Sequence, residues 1–271
     1  MTLREYLAGQ ISLIPENSNI VNPSVNNNPK IVFVNGHWSK VVPGPSEGGQ
    51  NYWFDGTTFF NSAAASFNLT TWENKFADGS KWLLNSASNR KQQGSTWAQN
   101  NYNDLISHSP NVLDFYFVCH SQGCAFAAGI AEYLKSRGHR IKQLLFLSCH
   151  QGSDIKIDST FTVYQMVYAK WVTLISSTLS ALVMDLVVGD HRVKGAKYGV
   201  MLRNDLDVQY LHGQSNSSDV FPEIADLRNV MIIDVLGTDG HTYTGQSSVT
   251  NHTVFYSINS TIIQANLPGF H

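Results

Sequence analysis

Cysteine is scarce. Three occur in 271 residues, at 119, 124 and 149, an odd number next to predicted strand and helix ends, which argues against a disulfide framework. There is no Cys-x-x-Cys and no His-x-x-x-His pair, so compact metal-ligand spacing is missing and neither a metal nor an organic cofactor is expected. Charge is thin as well: 18 Lys and Arg against 20 Asp and Glu leave a formal net charge of -2. With no basic run of five or more, nucleic acid is not an expected partner. The opening Met1-Thr-Leu-Arg-Glu-Tyr-Leu-Ala-Gly9 has no uninterrupted apolar core and no small-residue cleavage site, so no signal peptide is read. The expectation is a cytoplasmic protein, or one exported by another route or as part of a larger chain.

What is present fits one globular domain, because the chain is long enough for a large core and too short for two domains of this type. Residues 1–30 read as a weak amphipathic segment followed by an Asn-rich linker with Pro23 and Pro29. The folded domain is expected over 31–271, beginning with the apolar strand Ile31-Val-Phe-Val34.

The most informative stretch is Phe115-Tyr-Phe-Val-Cys-His-Ser-Gln-Gly-Cys-Ala-Phe-Ala-Ala-Gly-Ile130. Leu113–Val118 reads as a buried strand, rich in Phe, Tyr and Val. Gln122–Arg137 reads as a helix with Phe126, Ala127, Ile130, Ala131 and Leu134 at helical spacing, and Gly138 stands ready to end it. A strand that becomes a helix within Cys119-His120-Ser121-Gln122-Gly123 must pass through a tight turn, which lifts the Ser121 hydroxyl above the sheet. Cys119 beside His120 is an alternative nucleophile, although neighbours on a strand point to opposite faces.

These residues resemble the nucleophile elbow of the α/β-hydrolases, and more loosely its lipase and esterase branch; Cys119 stands where the Gly-x-Ser-x-Gly motif has its first glycine. The resemblance implies an α/β-hydrolase fold, a mostly parallel sheet flanked by helices, with a helical cap insertion. It also implies two oxyanion-hole amides, the N–H of His37 after the Asn35-Gly36 pair and the N–H of Gln122 after the nucleophile. The acid belongs just past a strand, where Asp207 fits best and Asp205 is the fallback. The base belongs last in the chain, so His252 is preferred and His241 is its rival. Ser121, Asp207 and His252 then follow the chain order of that family.

Between these landmarks the sequence predicts a helix capped by Thr57 or Thr58 and running through Phe67, a short strand at Lys81–Leu84, and a helix over 96–106 capped by Ser95. Further strands are expected at Gln143–Cys149, where His150 lines the pocket, at Tyr198–Arg203 and at Asn229–Leu236, with a final helix over Thr253–Leu267. The cap is placed at about 155–195. Its strongly apolar Phe161–Val188 is read as a helical lid in which Met166, Trp171, Leu174 and Ile175 line an acyl site. A membrane span over Trp171–Val188 is the competing reading, opposed by Lys170, Asp185 and the Ser-Ser-Thr run.

The expected function is a serine hydrolase of carboxylic esters (lipase, esterase or phospholipase) working through an acyl-enzyme, with a small-molecule or lipid ester as substrate and membrane-surface contact through the cap. Two alternatives stand beside it: a ligand-binding protein that uses the fold without catalysis, and a membrane-active protein that uses the apolar 161–188 segment.

Overall fold

The computed structural model describes residues 27–36, 49–80, 85–169, 193–202, 215–222, 224, 232–236, 242–246, 255–258 and 261–264. Six strands build the main sheet: β1 (Lys30–Asn35), β2 (Glu73–Asp78), β3 (Asp114–His120), β4 (Arg140–Leu147), β5 (Val163–Ala169) and β6 (Lys197–Leu202). Their order is β2-β1-β3-β4-β5-β6, and every pair runs parallel. Sheets of this kind carry helices on both faces, so their strands are apolar throughout rather than alternating. Accordingly, all six residues of β1 and the last four of β3 and β4 are buried.

The helices α1 (Thr57–Ser66), α2 (Ala87–Asn100), α3 (Tyr102–Leu105) and α4 (Gly123–Ser136) connect the strands. On one face α1 delivers Phe59, Phe60, Ala63 and Ala64 to a core shared with Ile31, Phe33, Val118, Leu145, Leu147 and Met166. On the other, α2 and α4 cover Val32, Val34, Phe115, Phe117, Cys119, Leu144 and Phe146. This is a doubly wound α/β fold with a parallel sheet flanked by helices, the architecture that the resemblance implies, with helix, strand and helix between the first strand and the elbow strand. The chain leaves β1 towards β2 and leaves β3 towards β4. The strand order therefore reverses between β1 and β3, and the crevice past their carboxyl ends is where such sheets bind ligands.

Two glycines set how closely α2 and α4 pack. A Cβ on Gly94 would stand 1.9 Å from the Phe126 carbonyl oxygen, and one on Gly129 1.8 Å from that of Lys91, so the helices touch backbone to backbone. Gly138 ends α4 as expected: it takes φ 89°, its N–H donates to Lys135 O at 2.9 Å, and the His139 N–H donates to Leu134 O at 3.1 Å.

Several local expectations are corrected. The strand of the middle region is Glu73–Asp78, ahead of the Asp78-Gly79 turn, whereas Lys81–Leu84 lies outside the described residues. Ser86, whose side chain accepts from Asn89 N–H at 3.2 Å, caps α2, so that helix begins well before Ser95. At α1 it is Gly56 that stands at the N-cap, with no side-chain cap. Within the expected cap, Val163–Ala169 is not helical but forms β5, because Val-Tyr-Gln-Met-Val-Tyr-Ala fits a pleated surface between β4 and β6.

The C-terminal elements differ most. The expected last sheet strand, β7 (Ile232–Leu236), pairs antiparallel with β8 (Thr242–Gln246) in a sheet of its own. Where a final helix was expected, β9 (Phe255–Ile258) and β10 (Thr261–Gln264) form an antiparallel hairpin with Ile258 opposite Thr261. Aromatic and β-branched residues on either side of Asn259-Ser260 favour period 2 over the helical period. Among the described residues no helix is long and apolar enough to cross a membrane, and Trp171–Val188 falls outside them.

Candidate active site

Ser121 stands between the end of β3 and the start of α4 with φ 55°, a left-handed backbone that costs a residue with a Cβ about 1–2 kcal/mol. Three hydrogen bonds hold that turn. The Ser121 N–H donates to Leu147 O at the end of β4 (2.9 Å), and the Ser121 carbonyl accepts from Cys124 N–H (3.2 Å) and His150 N–H (3.3 Å). The helix can begin directly after the serine because position 123 is glycine, where a Cβ would meet Val34 O at 2.5 Å and Asn35 O at 2.6 Å. Gln122, buried, is the N-cap of α4 and supplies the first backbone amide after Ser121.

The end of β1 forms the facing wall. A Cβ on Gly36 would lie 2.5 Å from Ser121 Cβ and 3.1 Å from its Oγ, so only glycine lets this backbone come so close to the hydroxyl. Asn35 fixes the strand end: its Nδ2 donates to Gly36 O (3.1 Å) and to Asp78 Oδ1 (2.7 Å), while its Oδ1 accepts from Gly49 N–H (3.2 Å). Gly49 opens a short 3-10 turn, Gly49–Tyr52, that brings Tyr52 beneath the elbow. The Tyr52 hydroxyl hydrogen-bonds His120 Nδ1, and both groups are buried. Burial pushes the Tyr52 hydroxyl far above its usual range against the opposing pull of the Gly36 backbone, so it stays protonated.

Cys119 fits where a glycine was expected because its side chain faces the core, in a cluster with Cys124 and Cys149, all three buried. Burial, reinforced by neighbouring thiols, pushes Cys119 and Cys124 well above the ordinary cysteine value. Cys119 is therefore a packing residue, and the alternative of a cysteine nucleophile is set aside.

Of the residues singled out in the sequence, Ser121 and Gln122 stand at the elbow, and His150, half-buried, is tied to it through its backbone. Met166 is corrected: it lies on β5, opposite Leu147, buried in the core that α1 covers, and belongs to the sheet rather than to a lid. His37, Asp205, Asp207, His241, His252, Trp171, Leu174 and Ile175 lie outside the described residues. The position expected for the base, after the last strand of the main sheet, shifts along the chain. With β7 outside the main sheet, β6 is the last described strand of that sheet, and the first histidine after it is His212. Ser215 and Asn216, just beyond, are buried, and Asn216 lies beside Tyr52: Asn216 Nδ2 donates to Tyr52 O (3.1 Å), and Phe54 N–H donates to Asn216 O (3.2 Å). Tyr52 was not visible as a site residue, since an aromatic in a glycine-rich loop gives no signal of its partner.

No protein-family model matches the chain, and no curated protein does. Among solved structures, the chain is similar to a protein named as a cell surface hydrolase from Lactobacillus plantarum WCFS1, with TM-score 0.37, 9% identity, and coverage of 73% of this chain and 90% of that one. It is similar also to a hyperthermophilic esterase from the archaeon Pyrobaculum calidifontis, with TM-score 0.35, 12% identity, and coverage of 73% and 74%.

Proposed function

We propose that the chain is a serine hydrolase that cleaves carboxylic esters through an acyl-enzyme on Ser121. The observation that carries this reading is the strained turn: a buried serine at φ 55°, pinned between β3 and α4 and facing the Gly36 backbone, where any Cβ would crowd its hydroxyl. A general base takes the Ser121 proton while the oxygen attacks the ester carbonyl. The N–H groups of Gln122 and His37 hold the developing oxyanion, each worth on the order of 3 kcal/mol. The base returns the proton to the leaving alcohol, and water, activated by the same base, then releases the acid.

For the base we retain His252 and His241 and add His212, which precedes Asn216, docked beside Tyr52. Asp207, with Asp205 as fallback, is proposed as the acid. The apolar stretch from Trp171 through Leu174 and Ile175 is proposed to favour lipid-like acyl chains, at about 0.8 kcal/mol per buried methylene, and to touch a membrane surface.

Hydrolysis of 4-nitrophenyl esters by the wild type and by Ser121→Ala tests the reading. Loss of the hydroxyl is expected to lower kcat by on the order of 10⁶ if nucleophile and base act as a unit. The fold should persist, because an alanine at 121 leaves every backbone hydrogen bond of the turn in place. Turnover retained in Ser121→Ala would refute the mechanism.

A further inference from the structure

We propose that Tyr52 is a positioning residue of the oxyanion site, its buried hydroxyl tying the elbow at His120 to a turn that is fixed to the end of β1 at Asn35. The inference deepens the serine-hydrolase reading above and rests on it. A nucleophile just past β3 and a glycine wall just past β1 follow separate strands, joined side by side by the sheet. Beyond the last ladder bond, nothing in the backbone pairing fixes the distance between Gly36 and Ser121, yet oxyanion stabilisation depends on donors held within a few tenths of an ångström of their place.

Tyr52 spans that gap. It closes the 3-10 turn whose first amide, Gly49 N–H, donates to Asn35 Oδ1 at 3.2 Å, so the turn is fixed to the end of β1. Asn35 spends its remaining donors on Gly36 O and on Asp78 Oδ1, which secures the same strand end from the β2 side. From that anchored turn the Tyr52 hydroxyl reaches His120 Nδ1, one residue before Ser121, and the Tyr52 ring packs edge-on against Trp53 at 5.3 Å between centroids. Asn216 Nδ2 on the Tyr52 carbonyl closes the turn from above. The turn thus links both walls of the crevice: Gly49 N–H reaches Asn35, next to Gly36, on one wall, and the Tyr52 hydroxyl reaches His120, next to Ser121, on the other. Being buried and protonated, the hydroxyl can donate to Nδ1 and leave the imidazole proton on Nε2, or accept from Nδ1–H; either pattern maintains the link.

Steady-state hydrolysis by the wild type and Tyr52→Phe, which differ by one oxygen, tests this beside inhibition by a trifluoromethyl ketone and by the matching methyl ketone. The activated ketone forms a tetrahedral oxyanion on Ser121, and the methyl ketone does not. Tyr52→Phe is expected to lower kcat by about 10–100-fold with KM nearly unchanged. The trifluoromethyl ketone should weaken by the same factor, and the methyl ketone should bind as before. As a second pair, His120→Leu should reproduce the Tyr52→Phe loss, and His120→Gln, which keeps a partner for the hydroxyl, should lose less. Kinetics and ketone inhibition unaltered by Tyr52→Phe would overturn the proposal, as would a change confined to KM or to the melting temperature. A wild type that hydrolyses no ester would overturn the serine-hydrolase reading and this inference together; an active wild type with an unimpaired Tyr52→Phe would overturn the inference alone.

Discussion

Ser121 and His139 illustrate how single residues are held at opposite ends of the same strands. At the carboxyl end, Ser121 keeps a left-handed backbone because Leu147, Cys124 and His150 satisfy its amide and carbonyl. At the other end, the buried His139 accepts the Leu113 N–H at Nδ1 (3.2 Å), so its proton resides on Nε2 and points to the Tyr102 hydroxyl at 2.8 Å. Burial, and then the charge of Arg137, hold its pKa below the usual histidine value. A proton on Nδ1 would displace the Leu113 amide, so the folded state resists protonation while the unfolded chain accepts it near pH 6.5. The stability that His139 provides is therefore complete above that value and is lost as the pH falls below it. We expect the melting temperature of the wild type to fall between pH 7 and pH 5 more steeply than that of His139→Gln. Equal slopes would show that this ring does not titrate with folding.

At the scale of elements, the tightest joint is the crossing of α2 and α4, where Gly94 and Gly129 admit direct backbone contact. Gly129→Ala forces a methyl into a space bounded by the Lys91 carbonyl and the Ser95 amide, backbone groups that cannot swing aside. The expected cost is about 3 kcal/mol or more, a fall in melting temperature of roughly 6–12 °C read by differential scanning calorimetry. A melting temperature within a degree or two of wild type would mean that the helices are further apart than their glycines imply.

Elements were legible wherever one period dominated the sequence. β1, β3, β4 and α4 stand out as continuous apolar runs or as a small-residue helix ended by glycine. The strand Val163–Ala169 was hidden because an apolar run reads alike as buried strand or lid helix, and the parallel partners that decide it, β4 and β6, are distant in sequence. The hairpin at Phe255–Gln264 was missed because its apolar residues also satisfy a helical spacing, which cross-strand pairing overrides.

For the molecule as a whole, the resemblance carried by the elbow pentapeptide implied a mostly parallel sheet flanked by helices, and the parallel order β2-β1-β3-β4-β5-β6 meets that expectation. The turn at Ser121 and Gln122 was legible because the strand, the turn and the helix that make it are written in consecutive residues. Tyr52 and the Asn35-Asp78 bond were not, since they join residues 68 and 43 positions apart and appear only once the strands are side by side. The base assignment depended on which strand came last, and removing β7 from the main sheet brought His212 into it.

The central claim, that Ser121 is an activated nucleophile, is tested most directly by exposing the native chain to a fluorophosphonate and mapping the adduct by peptide mass spectrometry. A single phosphonyl group is expected on Ser121, absent after heat denaturation and absent in Ser121→Ala. An unlabelled native chain, or an adduct on any other residue, would contradict it.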